Sequence, residues 1–154
     1  MTAKPKVRTC LWFEKNGLEA ARFYVSLLPD SGLEKDYAAG AEPITVEFRL
    51  AGAPYQILNG GPHYKLSPAA SISVTTEDQA ETDRLWSALV ADGGAESMCG
   101  WLADRFGVSW QIVPRQLIRM RTDSDRQAAA RAQEAMMRMK KIDIAAIEAA
   151  FSGK

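Results

Sequence analysis

The stretch Gly100–Pro114, GWLADRFGVSWQIVP, constrains this chain more than any other, because its outline occurs twice. It reads as a β-hairpin. Trp101–Arg105 runs up, Phe106-Gly107 turns, and Val108–Val113 runs back, with β-branched and aromatic residues on both sides of a glycine-containing turn. The earlier stretch Leu50–Leu58, LAGAPYQIL, matches it at an offset of 55: Gly52 with Gly107, Tyr55 with Trp110, Gln56 with Gln111, Ile57 with Ile112 and Leu58 with Val113. Upstream of each hairpin the offset is 62, pairing Thr9 with Ser71, Phe23-Tyr24 with Leu85-Trp86 and Leu27-Leu28 with Leu89-Val90. Matched elements in the same order predict one supersecondary unit built twice.

Each unit reads strand, helix, three strands. In the first, Lys6–Phe13 is a strand, and period two puts Thr9, Leu11 and Phe13 on one face and Cys10 and Trp12 on the other. Asn16–Glu19 has capping-box spacing, and the helix after it runs to Leu28 with Ala20, Phe23, Tyr24, Leu27 and Leu28 on one side. Strands are predicted at Leu33–Ala38, Pro43–Ala51 and Pro54–Asn59, with a turn at Gly52-Ala53. Gly60-Gly61-Pro62 opens a loop that reaches Pro68. The second unit repeats the pattern: a strand over Ala70–Thr75, a capping box at Thr76–Gln79, a helix to Ala91, a short strand over Glu96–Cys99, then the hairpin. After Pro114 the pattern turns helical. Asp123 or Ser124 caps a helix reaching Met139, and Asp143 caps IAAIEAAF. The predicted class is α+β. Two βαβββ modules, about 6–59 and 70–114, make a domain over 1–114, and 115–154 is a C-terminal helical extension. Such a tail packs on its own domain or on a second subunit.

Charge and composition narrow the partners. Lys+Arg and Asp+Glu both number 19, which gives no electrostatic reason to expect nucleic acid. Arg115, Arg119, Arg121, Arg126 and Arg131 read as the solvated face of the tail helices. No apolar run approaches the roughly 20 residues of a membrane span, and MTAKPKVRTC lacks the apolar core of a signal peptide, so the expected location is cytoplasmic. Cys10 and Cys99 fit no metal or redox spacing and read as reduced core thiols.

The motifs CLWF, ARFYVSLLPDSG, LNGGP, CGWLADRFGVSWQIVP and MKKIDIAAIEAAF resemble the PhnB-like family of the vicinal oxygen chelate (glyoxalase/bleomycin resistance/dioxygenase) superfamily. Members often carry the description 3-demethylubiquinone-9 3-methyltransferase. The resemblance implies that each module curls its sheet into half of an open barrel around a cavity, and that the protein is a homodimer. In the superfamily's metal enzymes four inward side chains hold a divalent cation, and those positions fall here on Thr9, Gln56, Ser71 and Gln111. Two amides and two hydroxyls bring no charge to repay ion desolvation, so neither metal nor other cofactor is expected. The same four groups suit hydrogen bonding to a small molecule or to ordered water. Leu11, Leu58, Ser73 and Trp101 complete the expected ligand pocket.

His63, the one histidine, falls near the pocket mouth, as an acid–base group or as a plain loop residue. Alternation turns Cys10 toward the helix, away from Thr9, and makes Glu47 an exposed strand-face carboxylate. Three functions stay open. The first is a metal-free protein binding a small apolar or aromatic compound. The second is an enzyme, methyltransferase-like by family description or a metal-dependent lyase or dioxygenase. The third is a structural dimer whose tail meets a partner. The segment after the first strand, Glu14-Lys-Asn-Gly, has one glycine and does not form the glycine-rich turn of an adenosylmethionine site.

Overall fold

The chain folds as two units that divide between Leu66 and Ser67, and a computed structural model describes residues 3–154. The first unit contains β1 (Thr9–Phe13), α1 (Gly17–Leu27), β2 (Gly32–Leu33), β3 (Thr45–Leu50) and β4 (Ala53–Asn59). Its sheet order is β1-β4-β3-β2, with β1 parallel to β4 and the other pairs antiparallel. The β3–β4 turn is Ala51-Gly52, one residue earlier than expected, with φ of 47° and 79°. A two-residue hairpin turn of the twisted kind needs positive φ at both positions. Ser31 Oγ accepts from Ala51 N and Asp30 O accepts from Gly52 N, which holds the non-glycine residue there.

Helix α1 covers one face of this sheet. Ala20, Ala21, Tyr24 and Leu27 are buried on the helix, and Leu11, Phe13, Val46, Phe48 and Ile57 are buried on the strands. Each large side chain stabilises by about 1.5–3 kcal/mol on burial, against about 1 kcal/mol for a helix cap, so packing decides where the helix lies. The cap itself differs from the expected box. Asn16 is left-handed and makes no side-chain cap bond. Asn59 of β4 accepts from Gly17 N at 2.9 Å instead, and its amide donates to Pro43 O. A Cβ at Gly17 would lie 2.4 Å from Ile57, so glycine is what allows the helix to start this close to the sheet.

The second unit repeats the topology with β5 (Ser71–Thr76), α2 (Gln79–Val90), β6 (Ala95–Glu96), β7 (Trp101–Ala103) and β8 (Ser109–Pro114), in the order β5-β8-β7-β6. The capping box lies two residues later than expected. Asp78 accepts from Glu81 N, and Glu81 accepts from Glu77 N. Thr76 goes into the core, its hydroxyl 2.7 Å from that of Thr82. Strand β7 ends at Ala103 because Asp104, only 3% exposed, accepts from Phe106 N, Val108 N and Trp110 Nε1.

Three helices follow: α3 (Arg115–Arg121), α4 (Arg126–Met137) and α5 (Ile144–Ser152). Helix α3 is not expected from the sequence, because its N-cap, Pro114, offers no capping side chain; Leu117, buried in the tail core, anchors it, with the exposed Arg115–Glu77 ion pair beside it. Asp125, rather than Asp123 or Ser124, caps α4, and Asp143 caps α5 as expected. The tail packs within the second unit. Leu117, Ala132, Met136, Ile142 and Ile147 form its core, with Cys99 and Val113 against it. Gln79 of α2 fastens it, donating to Ile142 O and accepting from Ile144 N. Arg115, Arg119, Arg121, Arg126 and Arg131 are all exposed, as expected. No helix among the described residues is long and apolar enough to cross a membrane.

Replacing Asp104 with Ala removes the acceptor from three donors, two of them buried. Urea denaturation is expected to show a loss of about 3 kcal/mol. A loss below about 1 kcal/mol would show that the hairpin turn holds without it.

Candidate functional site

Each sheet has a second face that its own helix does not cover. In the second unit this open face is set by the register Ser73 opposite Gln111 and Gln111 opposite Trp101. Ser71 lies on the same face, and Gln111 Nε2 donates to its hydroxyl at 2.9 Å. Ser71, Ser73, Trp101 and Gln111 are therefore brought together. Their side chains are uncharged, and Trp101 is half-buried.

The first unit departs from expectation. Gln56 pairs with Cys10 and with Glu47, and Leu58 with Trp12 and Thr45, so these six share the open face. Thr9 pairs with Tyr55 and Leu11 with Ile57, on the helix side, and Leu11 is buried. Thr9 and Leu11 do not share a face with Gln56. The reason is one residue. The helix starts Gly17 and Gln79 are 62 apart, but the strand partners Cys10 and Ser73 are 63 apart. In a strand a one-residue slip exchanges the two faces. Leu11 and Phe13, two large apolar side chains at period two, were the signal that this face lies under the helix. Cys10 is correspondingly exposed rather than a core thiol, and Cys99 is half-buried; both are free.

The equivalents of Ser71, Ser73 and Trp101 in the first unit are thus Arg8, Cys10 and Glu47. This end of the open face is ionic. Arg8, with a side chain 9% exposed, donates to Tyr55 O and to Glu34, whose other carboxylate oxygen lies 3.4 Å from Arg49 Nε. Glu47 lies 3.9 Å from Arg8 Nε and 3.8 Å from Lys4. The Arg8 hydrogen bond, aided by the charges of Arg8, Arg49 and Lys4 and opposed by desolvation, holds the Glu34 carboxyl below its ordinary value of 4.5. On the helix side Tyr55 stacks on Phe48 at 5.5 Å, and burial pushes its hydroxyl pKa up.

At the other end of the face Trp12 donates to Gly61 O and meets Tyr64 edge-on at 4.9 Å. A Cβ at Gly60 would fall 2.3 Å from the Trp12 ring, so only glycine lets the loop cross it. His63 is exposed in the turn that follows. Two cavities lie elsewhere. One of about 260 Å³ borders the start of α1, and one of about 520 Å³ lies between α2, α3 and α5; neither includes a predicted site residue.

A divalent cation does not fit this donor set. Among the described residues no three His, Cys, Asp or Glu side chains gather as ligands. The second unit offers only hydroxyls and an amide, and the first places the Arg8 cation where its repeat has Ser71.

Two βαβββ units with this strand order define the glyoxalase/bleomycin-resistance fold. The chain belongs to the 3-demethylubiquinone-9 3-methyltransferase family, which it matches over residues 5–113. A putative 3-demethylubiquinone-9 3-methyltransferase, the PhnB protein of Bacillus cereus, is 31% identical, with a TM-score of 0.62 over 71% of this chain and 99% of that one. The protein PA1353 of Pseudomonas aeruginosa shares the fold at 22% identity and a TM-score of 0.58, over 72% of this chain and 98% of that one. The fosfomycin resistance protein FosX of Listeria monocytogenes shares it at 11% identity and a TM-score of 0.50, over 73% and 91%. No curated protein matches the chain. The family match stops one residue before the end of β8, so the MKKIDIAAIEAAF segment lies outside it.

Two outcomes follow from this geometry. A thiol reagent applied to the native protein should modify Cys10 at least about tenfold faster than Cys99, as read by peptide mass analysis. Equal rates would return Cys10 to the helix side. Glu34 titrates lower in the folded chain than unfolded, so its pairing stabilises the fold above pH 4.5 and is lost as pH falls through the folded value. Glu34→Gln should therefore flatten the acid side of the stability–pH curve, and an unchanged acid limb would refute the pairing.

Proposed function

We propose that the chain is a metal-free small-molecule-binding protein that holds a neutral, partly aromatic ligand on the open face of its second sheet. The observation that carries this reading is the Gln111–Ser71 hydrogen bond with Ser73 and Trp101 beside it. The amide of Gln111 gives one N–H to Ser71 and keeps a second N–H and an oxygen for a ligand. Trp101 supplies a ring to stack on. None of these four side chains is charged, so a neutral compound meets no desolvated countercharge from them. In the first unit Gln56, Leu58 and Trp12 offer a related surface, and His63 stands in the loop beyond it.

The family description supports methyl transfer as a second reading. Its residue support is thin. The turn Glu14–Asn16 between β1 and α1 has no glycine, and Gly60-Gly61 runs into Pro62 rather than a helix.

Titration with a panel of neutral aromatic compounds, followed by tryptophan fluorescence and calorimetry, tests the first reading. Saturable binding that a chelator leaves unchanged is expected, without product. Gln111→Ala should weaken it about tenfold, the value of one lost hydrogen bond, with the circular dichroism unaltered. Stoichiometric tight binding of Zn²⁺, Mn²⁺, Fe²⁺ or Ni²⁺ would overturn the metal-free reading in favour of a lyase or dioxygenase. Saturable binding of S-adenosylmethionine would favour the transferase.

A further inference from the structure

Two features of the second sheet's open face decide how a compound lies on it. The first is what flanks Gln111 along β8. Val113, two residues further on the same face, packs against the core of the tail helices. Ser109, two residues earlier, is buried. A ligand of Gln111 therefore lies across the strands rather than along them. The second feature is the row that crosses the strands at this point, with Ser73 opposite Gln111 and Gln111 opposite Trp101. Neighbouring strands are about 4.8 Å apart, so Ser73 and Trp101 stand about 10 Å from each other with the amide between them.

This row has a ring at one end and uncharged hydrogen-bonding groups over the rest. Gln111 gives one N–H to Ser71, which leaves its second N–H and its oxygen. Ser73 is exposed, and its hydroxyl has no partner among the described residues. A hydroxyl both gives and accepts, and so does a primary amide. One group matches the two together, a vicinal diol, because it carries a donor and an acceptor on each of two neighbouring atoms. A carboxylate or phosphate only accepts and meets no cation in the row. An ammonium only donates and meets no carboxylate in it. The first sheet has Cys10 where the second has Ser73, and Glu47 where the second has Trp101, so it offers neither the hydroxyl nor the ring.

We propose that the ligand is an aromatic glycoside lying across the strands, with its aromatic ring against Trp101 and a vicinal pair of sugar hydroxyls on Gln111 and Ser73. Two linked rings span the row without reaching Val113 or Ser109, and the stacking and the hydrogen bonds fall at opposite ends of one molecule. Aryl glycosides and nucleosides share this chemistry, an aromatic ring carried on a sugar diol. The glycoside assignment rests on the binding function proposed above and adds to it the polar half of the ligand.

Calorimetric titration of the full chain with phenyl β-glucoside, phenyl β-galactoside and adenosine tests it, each compared with its sugar-free counterpart, phenol or adenine. At least one glycoside is expected to bind about tenfold more tightly than its counterpart, the value of two added hydrogen bonds. Ser73→Ala should weaken that glycoside about fivefold and leave the counterpart's Kd unchanged, because Ser73 meets only the sugar. Circular dichroism checks that the variant folds. Whether a phenyl glycoside or adenosine responds to Ser73→Ala distinguishes the two sources. Counterparts that bind as tightly as all three glycosides overturn the proposal and leave the binding function standing. So does a glycoside whose Kd is the same in Ser73→Ala. If none of these compounds binds while other neutral aromatic compounds do, the glycoside proposal alone fails. If no neutral aromatic compound binds, the binding function fails with it.

Discussion

A parallel ladder between the first and last strands of each unit sets everything else. Cys10 lies opposite Gln56 and Ser73 opposite Gln111, and these registers decide which side chains go under the helix. Leu11, Ile57, Val46 and Phe48 are buried as a consequence, and so are Ile72, Val74, Trp110 and Ile112 in the repeat. A parallel pair cannot be joined by a tight turn, so the helix is also the connection that makes the pairing possible. What remains outward is a short polar register on each sheet. The chemistry available to the protein is limited to what those positions hold.

The two outward registers have diverged more than the cores. Where the second unit has Ser71 and Trp101, the first has Arg8 and Glu47, tied to Glu34 and Arg49 in a network of alternating charge. Partly buried charges like these persist when each has a partner, and Arg8 meets both a carboxylate and the Tyr55 carbonyl. The first sheet therefore spends its outward polarity on its own edge, where β2 is only two residues long. The second sheet leaves its polarity free. That asymmetry is the reason the proposed binding face is placed on the second sheet rather than the first.

Much of the fold was legible because repetition and amphipathic spacing are coarse signals. Helix α1 and its equivalent α2 tolerate an error of one residue, since that turns a helical side chain by only about 100°. Strands do not, and the misplacement of Thr9, Leu11 and Cys10 came from carrying the helical offset of 62 into a strand whose offset is 63. The cap of α1 could not be read locally, because Asn59 reaches it from 42 residues away. Asp104 was readable in principle: an aspartate two residues before Phe106 and four before Val108 is placed to accept from both amides. Helix α3 has no capping residue to announce it, and its ion-pair partner Glu77 lies 38 residues earlier. Of the expected site residues, those of the second unit share one face because period two works within one correctly placed strand.

The tail does more than extend the chain. Cys99 N donates to Met139 O and Gly100 N to Lys140 O, so two amides beside the last hairpin get their acceptors from residues about 40 positions later. On a ribosome these amides face water until residues 139 and 140 emerge, while the first unit already has every strand of its sheet by Asn59. The two halves, alike in topology, therefore mature on different clocks during synthesis. The first has its strands early, and the second lacks acceptors for these two amides until residue 140 has left the exit tunnel.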